Sequence, residues 1–293
     1  MSTPGERDER RGLAYGLLGV AAFSLTLPAT RAAVADLHPA FVALARCAVA
    51  ACAAGALLLV ARAPLPQRRQ WPSLAIIVAG VIVGFPLFSA IAMRDAPAAH
   101  GAIVLGILPL ATALAGALRG GERPSRGFWL AGIAGSMLVV AFALAQGGGR
   151  FGTADVALLL AVAAGAIGYA EGGRLARELG AWQTISWALV LSAPLLLGPL
   201  ALVVAIHGAT ASVQAWLGFA YVALVSQFLG FFPWYKGLAL GGVARVGQLQ
   251  LLQPFMTLFA SALLLAEQVD ATTVAFAIAV FVVVAIGRRM PIA

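Results

Sequence analysis

Ala244 to Glu267 reads ARVGQLQLLQPFMTLFASALLLAE, an apolar run with a proline in its middle and three glutamines in its first half. The pattern also stands 145 positions earlier, where Ala99 to Glu122 reads AHGAIVLGILPLATALAGALRGGE. Without a gap, Ala99 aligns with Ala244, Pro109 with Pro254, Thr112 with Thr257, Ala115 with Ala260 and Glu122 with Glu267. Shared leucines and alanines mean little between two apolar helices. A mid-helix proline and a terminal glutamate at one constant offset mean more. They predict a chain in which one unit is written twice.

Of the 293 residues, 62% are hydrophobic and 10% charged, and the mean hydropathy is +0.97. A soluble domain is about half apolar and about a quarter charged, so this composition belongs in a bilayer. No Asp, Glu, Lys or Arg lies between Arg11 and Arg31, Trp71 and Met93, Asp95 and Arg119, Arg126 and Arg150, or Leu179 and Tyr235. At about 20 residues per crossing, ten helices fit, roughly 12–33, 39–61, 72–93, 97–118, 127–146, 154–172, 182–206, 214–235, 243–265 and 271–287. The expected fold is therefore an all-α membrane protein of ten transmembrane helices. Five spans per half is an odd number, so the second half enters the membrane upside down. The units are two inverted five-helix repeats, 12–146 and 154–287, joined by a linker at 147–153 and flanked by tails at 1–11 and 288–293.

The net charge of +8 and the pI of about 10.7 mark topology, with no nucleic-acid partner implied. With the N-terminus inside, fifteen of the 19 basic residues fall on inner segments, whereas only Arg94 and Arg150 lie in outer connections. That bias puts both termini in the cytoplasm. The N-terminus carries no cleavable signal pattern. Cys47 and Cys52 have neither metal nor redox spacing and read as small core residues.

Arg46 lies within the second span, about 12 Å from its outer end at 1.5 Å per residue. Burying an arginine at a helix centre costs about 2.5–3.5 kcal/mol on insertion scales. It therefore has a polar partner, or it snorkels outward helped by Asp36 or His38. On the ninth span Gln250, Gln253, Thr257 and Ser261 fall within about 80° of one another, a polar stripe. Pro254 cannot donate to the carbonyl of Gln250, nor Pro109 to that of Leu105. A carbonyl so freed should face protein or a wet cavity. The stripe reads as cavity lining or as interhelical glue. The eighth span holds Ser226 and Gln227 and ends in Trp234 and Tyr235, which form either an interfacial belt or part of a site. Glu171, Arg174 and Arg177 read as a solvated helix end. The candidate substrate-binding set is Gln250, Gln253, Thr257, Arg46, Trp234, Tyr235 and His100, with Pro109 and Pro254 as helix breaks. No metal or cofactor site and no catalytic motif is legible.

Ten spans in two repeats, the doubled pattern Ala-x₉-Pro-x₁₂-Glu and Arg46 after LHPAFVALA resemble the EamA family of the drug/metabolite transporter superfamily. The Trp-Gly pair often found in that family's first helix is replaced here by FSLTLP. The resemblance implies a ten-helix bundle with a central cavity lined by helices 3, 4, 8 and 9. It also implies export of small metabolites, amino acids among them, across a bacterial cytoplasmic membrane without ATP hydrolysis. The leading expectation is a secondary transporter working by alternating access on a small polar molecule. The alternative is an intramembrane enzyme acting on lipid or isoprenoid. The expected partners are a small-molecule substrate and the lipid bilayer.

Overall fold

The computed structural model describes residues 4–120, 152–266 and 268–288, with parts of 125–141. Glu122 and Glu267, the terminal glutamates of the doubled pattern, lie outside the described residues, as do most of the fifth span and of the linker. Among the described residues every regular element is helical. Eight helices are long and apolar enough to cross a membrane: Arg10–Val34, Pro39–Val60, Arg68–Asp95, Ala98–Leu118, Thr153–Leu179, Ala181–His207, Val213–Gly241 and Arg245–Leu265. They match the first to fourth and sixth to ninth spans, and Ala271–Arg288 forms a further apolar helix in the tenth. Leu59, Leu197, Leu202, Phe259 and Leu263 are exposed on their outer faces. A soluble monomer rarely shows so continuous an apolar surface. This is an integral membrane protein.

The first span packs on the eighth, the third on the sixth, the second on the seventh and the fourth on the ninth. Exchanging the halves swaps the first two pairs and leaves the other two unchanged, so the packing carries the doubling of the sequence. Small residues make the closest crossings. A Cβ on Gly237 would stand 2.7 Å from the backbone nitrogen of Gly16, and one on Gly80 would stand 2.5 Å from the carbonyl of Ala164. Such stripes let backbones touch where lipid supplies no hydrophobic drive.

The irregularities are doubled as well. Wide i→i+5 turns interrupt the third span at Val78–Gly84 and the eighth at Tyr221–Leu229. The 145-residue shift carries the first of them into the second. Pro86 has no N–H for the carbonyl of Ile82, which instead accepts the Cys47 thiol at 2.9 Å. The neighbouring carbonyl of Val81 accepts from Gln227 Nε2 at 3.3 Å. The fourth span breaks between Ala98–Leu105 and Leu108–Gly120, and the ninth tightens at Gln248–Leu252 before Gln253–Leu265.

Several expectations are corrected. The carbonyl of Gln250 is not left free by Pro254, because the tight turn lets it accept the Gln253 N–H. Cys52 is exposed on the helix surface, while only Cys47 is core. Glu171 is buried, and its carboxylate takes Arg174 Nη2 at 2.6 Å. Trp234 and Tyr235 form no interfacial belt, since both are 0% exposed. The backbone and Cβ of Trp234 pass over Gly19, its ring packs against Phe23 and Tyr169, and Tyr235 fills the space above Gly172.

Candidate functional site

Midway along the bundle, six spans turn polar or aromatic side chains toward one void. The first span gives Phe23 and Thr26, the second Arg46, the third Val81 and Phe85, the sixth Tyr169, the eighth Ser226, Gln227 and Phe231, and the ninth Gln253. The wide turns explain two of these contributions. They shift the side-chain register of the third and eighth spans, and they leave carbonyls that fix Gln227 against the third span. The fourth span, which family resemblance placed on the cavity, reaches only an adjoining crevice through Ala102 and Leu105 beside Pro254 and Thr257.

Arg46 is the chemical centre of the void. Its side chain does not snorkel, as the residue is 1% exposed. Nη2 donates to Ser226 Oγ at 3.1 Å, and Ser226 shares a 2.8 Å hydrogen bond with Thr26 Oγ1. Nε and Nη1 are buried without a hydrogen-bond partner among the described residues. Asp36 and His38 are engaged elsewhere. The Ser212 hydroxyl and N–H hold the Asp36 carboxyl below its ordinary pKa, and His38 stacks on His207 with centroids 3.9 Å apart. The cavity-lining residues include no Asp or Glu. The free space is about 10 Å³, room for about one water. The void is nearly filled by its own lining.

Polar ties fasten both ends. At one end Arg31 Nη1 donates to the carbonyls of Met93, Arg94 and Ala96 at 2.8, 3.0 and 3.1 Å, capping the third span. At the other end Arg174 Nη2 also reaches Ser73 Oγ at 2.6 Å, tying the sixth span to the third.

The sequence-derived candidates separate accordingly. Arg46 and Gln253 meet at the void. Thr257 instead donates to the carbonyl of Ser24 at 2.8 Å, and Ser261 to that of Leu258 at 3.0 Å, which makes the lower stripe interhelical and local glue. Gln250 is buried with both amide atoms unpartnered but does not line the void. His100 sits at the N-terminal end of the fourth span, 2.7 Å from Asp155 Oδ1. Trp234 and Tyr235 stand behind the wall formed by Phe23, Tyr169 and Phe231. Sequence reasoning missed Phe23, Thr26, Phe85, Tyr169 and Phe231. Tyr169 left a signal, the one aromatic in the Ala/Gly-rich run of the sixth span.

The model of the EamA-like transporter family matches residues 10–145 and again 152–287. The Bacillus subtilis (strain 168) protein called uncharacterized transporter YdeK is 49% identical over 279 residues, covering 95% of this chain and 97% of that one. One crystal structure, 21% identical and covering 94% of this chain and 97% of its own, superposes with a TM-score of 0.65, a likeness of fold.

Proposed function

The chain belongs to the EamA-like transporter family, and from that premise we propose that it is a secondary carrier exporting small polar metabolites by alternating access. Amino acids are among the candidates. The observation that carries this reading is the closed, polar void at the meeting of six spans, fastened by separate ties toward each face. A carrier needs a central site that opens to one side at a time, and inverted-repeat carriers place it where helices are interrupted. The wide turns and breaks at matching positions of the two halves supply those interruptions. Purified protein in liposomes should move the substrate down its gradient. Its absence from the flux of every solute offered, with folded protein in the vesicles, would defeat the proposal.

The architecture proposed with this function has ten spans, inverted halves and both termini in the cytoplasm of a bacterium. A reporter fused after Gly148 should report the outer side and one fused at the C-terminus the inner side. Two fusions reporting the same side would rule out the inversion.

Gln253 is proposed to hydrogen-bond the substrate, because its carboxamide borders the void and offers both donor and acceptor. Gln253→Leu keeps the bulk and removes only the polar functions. The loss should be about 0.5–1.5 kcal/mol, a weakening of about 2- to 13-fold, with the melting temperature held within a few degrees. A destabilised variant with normal affinity would make Gln253 a packing residue like Thr257.

A further inference from the structure

We infer that the substrate is an organic monoanion: a single carboxylate that pairs with Arg46, on an apolar body that packs among Phe23, Val81, Phe85 and Phe231. The inference rests on the carrier reading and narrows its substrate class. Three observations meet in it.

The first is the guanidinium itself. Nε and Nη1 have no partner, although Arg46 is 1% exposed and held in place by Ser226. A carboxylate meets guanidinium in pairs of parallel hydrogen bonds, along the edge formed by Nε and Nη2 or the edge formed by Nη1 and Nη2. Each of those edges keeps an unpartnered donor here. Nature fills buried hydrogen-bonding groups in the great majority of cases, so the unfilled edges identify the missing acceptor.

The second is the charge of the site. Arg46 brings one positive charge, and the residues lining the void bring no carboxylate. Glu171, two residues beyond Tyr169, is committed to Arg174 at 2.6 Å on the inner side. A monoanion leaves the closed site neutral. A zwitterion leaves it with a net positive charge, and a cation doubles that charge. Aromatic faces can hold an ammonium, but by only about 0.5–2 kcal/mol, and in this void that gain is set against the neighbouring guanidinium.

The third is the wall. Away from Arg46 the lining is the rings of Phe23, Phe85, Tyr169 and Phe231 with the side chain of Val81. Apart from the Tyr169 hydroxyl, that surface is apolar and favours an apolar body beyond the carboxylate. Gln227 already spends its amide nitrogen on the third span, and Thr26 and Ser226 bond to one another, leaving Gln253 and the Tyr169 hydroxyl for a further polar group.

A matched series tests the charge directly: 3-phenylpropanoate, phenylalanine, 3-phenylpropanol and phenethylamine share one body and differ in charge. Binding to the purified full chain is measured by calorimetry and by the shift in melting temperature, in buffer without halide. The acid should bind at least about tenfold more tightly than each of the others, the scale of a hydrogen-bonded charge. Arg46→Gln should abolish that preference, and Arg46→Lys, which keeps the charge, should retain part of it. If Arg46→Gln fails to fold, the Lys variant and the wild-type series still decide. Phenylalanine or the alcohol binding as well as the acid would overturn the inference, as would an acid preference that survives Arg46→Gln. Chloride is the other source of a negative charge. If potassium chloride alone raises the melting temperature through Arg46 and blocks the acid, the guanidinium holds an inorganic counter-ion and the inference fails. Failure of the carrier reading looks different, with the acid bound through Arg46 but never moved across a liposome membrane. If none of the four binds while another solute is transported, the carrier stands and the monoanion does not.

Discussion

Gly237→Leu should yield no monodisperse protein on extraction from the membrane, and Gly237→Ala should fold with a lowered melting temperature. The first and eighth spans cross at Gly12, Gly16, Gly237 and Gly241. A Cβ on Gly237 would lie 2.7 Å from the Gly16 nitrogen, 2.8 Å from the Gly12 carbonyl oxygen and 3.0 Å from the Gly16 Cα. These are backbone atoms, so no rotamer change relieves the clash and the two spans must part. Even one inserted methyl in a tight core costs about 1–3 kcal/mol, and a leucine also pries Trp234 from its seat over Gly19. Gly198→Leu is the control. A Cβ there meets nothing within 4 Å, and the residue faces outward on the seventh span. Size-exclusion chromatography and a thermal melt measure both. A Gly237→Leu protein with wild-type yield and melting temperature would disprove the close crossing.

The doubling was legible because helix periodicity and proline are strong signals even in an apolar chain. Pro109 and Pro254 mark the interrupted fourth and ninth spans, and the 145-residue register holds in the packing. What the prolines do locally was harder to read. A proline removes one donor, but whether a carbonyl stays free depends on the turn that follows, and the tight turn at Gln248–Leu252 recovers it for Gln253 N–H. The wide turns had a weaker signature in Gly84-Phe85-Pro86 and Gly230-Phe231-Phe232-Pro233, glycine followed by aromatic and proline in mid-span. Periodicity correctly gathered Gln253 and Thr257 on one face of the ninth span. It could not separate them, since their difference lies in which neighbour each meets, Arg46 across the void or the Ser24 carbonyl. The same limit hid Phe23 and Phe231, apolar residues among many, and made Trp234 look interfacial. Arg46 stood out because an arginine inside a span is costly wherever it points. Only the structure shows that it points inward.

Efflux from liposomes loaded with a transported monocarboxylate should run at least about tenfold faster into medium holding the same solute than into solute-free medium, a difference of about 1.4 kcal/mol in barrier. The reason is the closed state itself. A carrier that alternates must pass through a closed state on both legs, loaded on one and empty on the other unless solute rebinds. Empty, it encloses Arg46 with one bond to Ser226, two unpartnered nitrogens and room for about a single water. A buried charge stripped of its partner costs about 3–5 kcal/mol in folded proteins. The Ser226 bond and a water recover part of that, which leaves tenfold as a low estimate. Loaded with an anion, a closure widened around the solute buries a neutral pair, so solute outside returns the carrier quickly and exchange outruns net flow. Arg46→Gln removes the charge that makes the empty closure costly. In that variant the two rates should converge even though solute binds more weakly. Equal rates in the wild type would mean that the empty closed state is easily reached, and that Arg46 finds a partner there which the closed structure does not contain.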